Sequence, residues 1–163
     1  MAISFPKTKT FFRALSSTGN FFQHFLLLAF RLYFGLGFVM AGLRKFTSMN
    51  ETSAYFSQLK IPLPEFFSYL VASTEVVCGA LLIIGLASRL ASLPLIITMI
   101  VALLTAHAKG AIQIISNPSA FLSETPVTFL MALLVIFVSG AGWFSLDYFI
   151  GRYYGKEHNT QSS

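Results

Sequence analysis

Four long apolar runs alternate with shorter polar stretches along the chain: Phe21–Leu43, Phe66–Leu86, Arg89–Ala108 and Pro126–Phe144. Each is close to the ~20 residues a helix needs to cross a bilayer. The breaks between them are legible. Ile61-Pro-Leu-Pro64 closes the first loop and opens the second helix, where proline is tolerated. Gly85-Leu-Ala-Ser88 leaves room only for a tight turn, so the second and third runs are antiparallel neighbours. Asn117-Pro118 and Thr125-Pro126 mark breaks before the fourth run. Pro94 falls near the start of the third run, where it is either tolerated or kinks the helix.

Two loops carry weaker patterns. Met49–Leu59 places Tyr55, Phe56 and Leu59 on one side and predicts a short interfacial helix capped by Ser48 or Asn50. Ala111–Leu122 predicts another surface-lying piece. The fold class expected is therefore all-α, an integral membrane four-helix bundle with short interfacial helices in its loops. Residues 1–20 form a basic segment at the membrane surface, residues 21–150 the transmembrane domain, and residues 151–163 a disordered tail. The first run is too long for a signal-peptide core and no small-residue cleavage site follows it, so it reads as an uncleaved anchor.

Composition supports this picture. Of the 163 residues, 55% are hydrophobic and 10% charged, against about 25% charged in soluble domains. The net charge of +5 comes from bases flanking apolar runs, which fits anionic headgroups and topology, and nucleic acid is not expected as a partner. An even number of spans puts both termini on one side. Lys7, Lys9, Arg13, Arg89, Arg152 and Lys156 gather there, against Arg44, Lys45, Lys60 and Lys109 on the other. That bias predicts both termini in the cytoplasm of a bacterial-type inner membrane.

Ionisable residues inside the runs bear the candidate chemistry. Arg31 and Glu75 each fall near the middle of a run. Counted from the run ends, both lie roughly 15 Å deep. Arg31 shares a helix face with Gly35, Phe38 and Gly42, and Glu75 shares one with Ala72 and Gly79. Small residues beside each charge let backbones approach. A charge at mid-membrane costs about 2.5–3.5 kcal/mol on insertion scales. A contact between Arg31 and Glu75, direct or through one side chain or water, is therefore expected, either as a structural staple or as the floor of a polar site. Arg44, Lys45, His107 and Glu124 gather at the outer face, either as a solvated rim or as a site for the polar head of a lipid-soluble ligand. Arg89 and Asp147 form a third, inner layer, read as a structural salt link.

Several chemistries are excluded. The single cysteine, Cys78, makes neither an internal disulfide nor a C-x-x-C couple. His24 and His107 fall at opposite ends of their runs, too far apart to hold one haem. No metal-ligand spacing, phosphate loop or nucleophile elbow occurs.

The order Arg31, Gly42-Leu-Arg-Lys45, Glu75-Val-Val-Cys-Gly79, Gly85-Leu-Ala-Ser-Arg89, His107, Glu124 and Gly140-Ala-Gly-Trp-Phe-Ser-Leu-Asp147 resembles the DoxX family over about residues 25–150. The family usually has a proline where this chain has Ala141. The resemblance implies a small four-helix membrane protein related to a subunit of a thiosulfate:quinone oxidoreductase. The function expected is a membrane subunit of a redox system that holds a quinone or similar apolar ligand between helices, with no covalent cofactor and no metal. Arg31, Lys45, Glu75, His107 and Glu124 would bind the ligand or relay protons. Electrons would come from a bound quinone or a soluble redox partner, and a homo-oligomer is a further expected partner state. The alternatives are a non-catalytic scaffold for soluble enzymes and a small proton-coupled carrier.

Overall fold

The computed structural model describes residues 6–106, 108, 118–140, 142 and 145–146, with side chains from Phe22 onward except Ala120. The elements are α1 (Pro6–Thr47), α2 (Met49–Gln58), α3 (Pro64–Ile84), α4 (Ser88–Thr105), α5 (Pro118–Ser123) and α6 (Thr125–Ser139). Stretches of α1, α3 and α4 are long and apolar enough to cross a membrane: Phe22–Thr47, Pro64–Ile84 and Ser88–Thr105. Among the described residues the fourth run is helical over the fifteen residues of α6, about 22 Å of a hydrocarbon layer of about 30 Å. It stops at Ser139 because Gly140 takes φ +78°, outside the helical region, while its N–H still closes on Ile136 O at 2.8 Å.

The four apolar helices pack in a ring. α1 lies against α3, α3 against α4, α4 against α6, and α6 returns to α1. The seam between α1 and α3 is closest because glycines line it. A methyl group at Gly35 would lie 2.8 Å from Ile83 and 3.0 Å from the Gly79 carbonyl, and one at Gly42 would lie 2.7 Å from the Ala72 carbonyl. The faces read from the sequence therefore do meet. The core between the helices is Phe38, Leu82, Ala91, Leu95, Met99, Leu133 and Ile136. Phe34 and Phe38 clamp Phe129 of α6 edge-on, with ring centroids 5.1 and 5.0 Å apart. Large apolar side chains such as Phe25, Tyr33, Leu90 and Val138 point outward, as expected where lipid is the solvent.

α2 forms over Met49–Gln58 where the sequence places it, and packs on α3. Its cap differs from expectation. Ser48 holds the N-cap position without capping; its hydroxyl donates back to Arg44 O at 3.0 Å. Pro94 lies inside α4, which continues to Thr105. Most of the second expected surface piece lies outside the described residues; its end is the short helix α5.

Candidate functional site

Antiparallel packing gives the ring two ends. One carries the Gly85–Ala87 turn and the C-termini of α3 and α6; the other carries α2, the end of α1 and the starts of α3 and α6. We call them the turn end and the α2 end.

Arg31 belongs to the turn end. It is 1% exposed, and it donates to carbonyls at the end of α3. Nε donates to Leu82 O at 2.9 Å and Nη2 to Ile83 O at 3.2 Å. The last carbonyls of a helix have no partner within it and carry the negative end of its dipole. In α3, Leu81 O accepts from Gly85 N–H at 2.9 Å and from Leu86 N–H at 3.1 Å, and Arg31 takes the next two. Side chains lean toward the N-terminus of their own helix, so Arg31 on α1 leans past the end of α3. Gly85 makes the room: it has φ +75°, and a Cβ there would overlap the guanidinium.

Arg89 repeats the arrangement one hairpin later. Its Nη2 donates to Val138 O near the end of α6 at 3.3 Å, and its Nε lies 3.2 Å from where a Cβ on Gly140 would sit. Unlike Arg31, Arg89 is exposed. Its expected partner Asp147 lies outside the described residues.

Glu75 is paired with Lys45, not with Arg31. Lys45 Nζ donates to Glu75 Oε2 at 2.5 Å, with the lysine side chain 27% and the glutamate side chain 4% exposed. The expected Arg31–Glu75 contact is thus corrected, and the physical reason is register. Gly35 sits opposite Gly79 and Ile83, and Gly42 opposite Ala72 and Val76. This puts Arg31 level with the end of α3, about 12 Å along the axis from the level of Glu75. Counting depth from the ends of the apolar runs assumed that the runs start and stop together, whereas α1 begins well before α3 ends. The same lean of side chains makes the observed pair: Lys45 leans inward on α1 and Glu75 leans outward on antiparallel α3.

Glu124 is the N-cap residue of α6, half-buried. Phe129 packs on Gly37, which places Glu124, five residues earlier, at the α2 end with Lys45. His107 lies outside the described residues. The structure therefore joins Lys45 to Glu75, sets Glu124 at their end of the ring, and takes Arg31 to the other. Sequence reasoning missed the capping role of Gly85 and Gly140. Each is a glycine just after an apolar run, and that signal could have been used.

These features define an integral membrane protein, helical among the described residues, with the Lys45–Glu75 ion pair inside its helix ring. Residues 26–108 match DoxX, and the chain belongs to the DoxX family. It is 32% identical over 133 residues to an uncharacterized membrane protein of Mycobacterium tuberculosis, covering 74% of this chain and 78% of that one. It is 29% identical over 136 residues to a Bacillus subtilis protein named "Putative oxidoreductase CatD", covering 83% and 93%. No solved structure matches the chain.

Proposed function

We propose that the protein is a membrane subunit of a redox system that holds a quinone or a similar small apolar ligand, with the Lys45–Glu75 pair at its polar head. The observation that carries this reading is the pair itself. Glu75 sits eleven residues into α3 and is 3% exposed, and a carboxylate is retained there at a cost of several kcal/mol unless it has a task or an excellent partner. Lys45 near the end of α1 connects it to the membrane surface. The name of the Bacillus relative supports an oxidoreductase setting.

In this reading Lys45 and Glu75 bind the head group and move protons, and Glu124 extends the polar layer at the α2 end. Arg31 and Arg89 fasten helix ends. The lone cysteine offers no dithiol couple, so electrons pass between the quinone and a soluble partner or a second copy of the chain. The chain sits in a bacterial-type inner membrane with both termini cytoplasmic, so the site opens toward the outer leaflet.

Purified protein should retain quinone on extraction. Glu75→Gln should lower that occupancy while the thermal melt and helix content stay close to wild type. Protein that retains no extractable quinone, or a Glu75→Gln variant with unchanged occupancy, defeats the reading.

A further inference from the structure

The Lys45–Glu75 pair leaves hydrogen-bonding capacity unused. Among the described residues, neither group has a further hydrogen bond or ion pair beyond the one they share. An ammonium has three donors and one is taken. An ionised carboxylate has two oxygens that only accept, and among the described residues Oε1 has no donor. A ligand that covers Oε1 displaces water from it, and a charged acceptor covered without a donor is costly. The site is therefore complementary to a group that brings a hydroxyl. One hydroxyl satisfies both partners, since its hydrogen donates to Glu75 Oε1 while its oxygen accepts from Lys45 Nζ.

A quinone has carbonyl oxygens and no donor. It can accept from Lys45, but it leaves Oε1 as it was. A quinol has the donor. We infer that the site selects the hydroxyl-bearing, reduced form of its ligand over the oxidised form, and more broadly selects apolar molecules with a phenolic or alcoholic head. This deepens the quinone-binding reading and rests on it.

The position of the pair agrees. Glu75 is almost enclosed, and Lys45 is about a quarter exposed at the α2 end. A ligand entering from that end meets donors first and the acceptor deeper, and only a head with its own donor can use both. Towards the turn end the way is closed by Phe38, Leu82, Leu95, Leu133 and Ile136, each at most 1% exposed.

The test uses full-length protein in nanodiscs. Equilibrium dialysis under anaerobic conditions compares a decyl benzoquinol with the matching benzoquinone, and an alkylphenol with its methyl ether, which removes the donor without any redox change. We expect the quinol and the phenol each to bind about tenfold tighter than the donor-less partner, as for a hydrogen bond to a charged acceptor. Glu75→Gln should bring both ratios close to one by weakening the quinol and the phenol, because a neutral amide oxygen accepts a hydrogen bond less strongly than a carboxylate. Equal binding within either wild-type pair, or ratios unchanged in Glu75→Gln, overturns the selectivity and leaves quinone binding standing. Binding of none of the four probes overturns both. The wild-type phenol–ether ratio decides the question even if the variant fails to fold.

Discussion

The α1–α3 hairpin and the α4–α6 hairpin are built alike at one end and unlike at the other. In both, an arginine on the first helix reaches the last carbonyls of the second, and a glycine at positive φ follows that helix: Arg31 with Gly85, Arg89 with Gly140. Fourteen residues after Arg31 stands Lys45, and fourteen after Arg89 stands Leu103. Ten residues before Gly85 stands Glu75, and ten before Gly140 stands Leu130. One hairpin has a buried ion pair where the other has two leucines, Leu103 at 8% exposure and Leu130 packed on the core. The second hairpin shows that this packing does not require an ion pair there. The arginine caps, present twice, are architecture, whereas the Lys45–Glu75 pair, present once among the described residues, calls for a functional explanation.

The comparison can be broken at its strongest point first. Gly85→Val would put a branched side chain at φ +75° and into the Arg31 guanidinium. Backbone strain and loss of charged hydrogen bonds should together cost about 3 kcal/mol or more, read as a collapse of the detergent-solubilised melting transition. A melt near that of wild type would mean that Arg31 does not cap α3.

Lys45→Met should cost about 3 kcal/mol by leaving a buried carboxylate without its partner. Lys45→Leu combined with Glu75→Leu makes the first hairpin resemble the second. It should melt within about 1 kcal/mol of wild type, since buried ion pairs are often replaced by apolar residues at no loss, and it should retain no quinone. A double variant as unstable as the single one would return the pair to a structural role.

Arg89→Ala sharpens the contrast between the two caps. Arg89 is exposed and its one bond to the end of α6 is long at 3.3 Å, so the loss should be about 0.5–1 kcal/mol. A loss as large as that from Gly85→Val would make the two caps equivalent. The smallest effect belongs to Ala87, which takes φ +48° in the tight turn. Ala87→Gly should leave stability unchanged or raise it by up to about 1 kcal/mol, because glycine has no steric penalty there. A lower melting temperature would show that the Ala87 methyl is needed for packing.

Much of this molecule is written in its residue order. The apolar runs, the proline and glycine breaks, the short helix after Met49 and the small-residue faces of the first and second spans follow from local rules: a spanning helix must satisfy its own backbone, and close approach requires small side chains. That Arg31 and Glu75 need shielding from lipid follows equally from the cost of charge in hydrocarbon. Which group shields which was decided by the tertiary structure. The contact of Gly35 with Gly79 and of Gly42 with Ala72 sets how far α1 slides along α3, and sliding by about two turns exchanges one set of partners for another. Run lengths do not encode that offset, because α1 extends past the end of its neighbour. Register therefore gave Arg31 the carbonyls of a helix end and gave Glu75 a lysine.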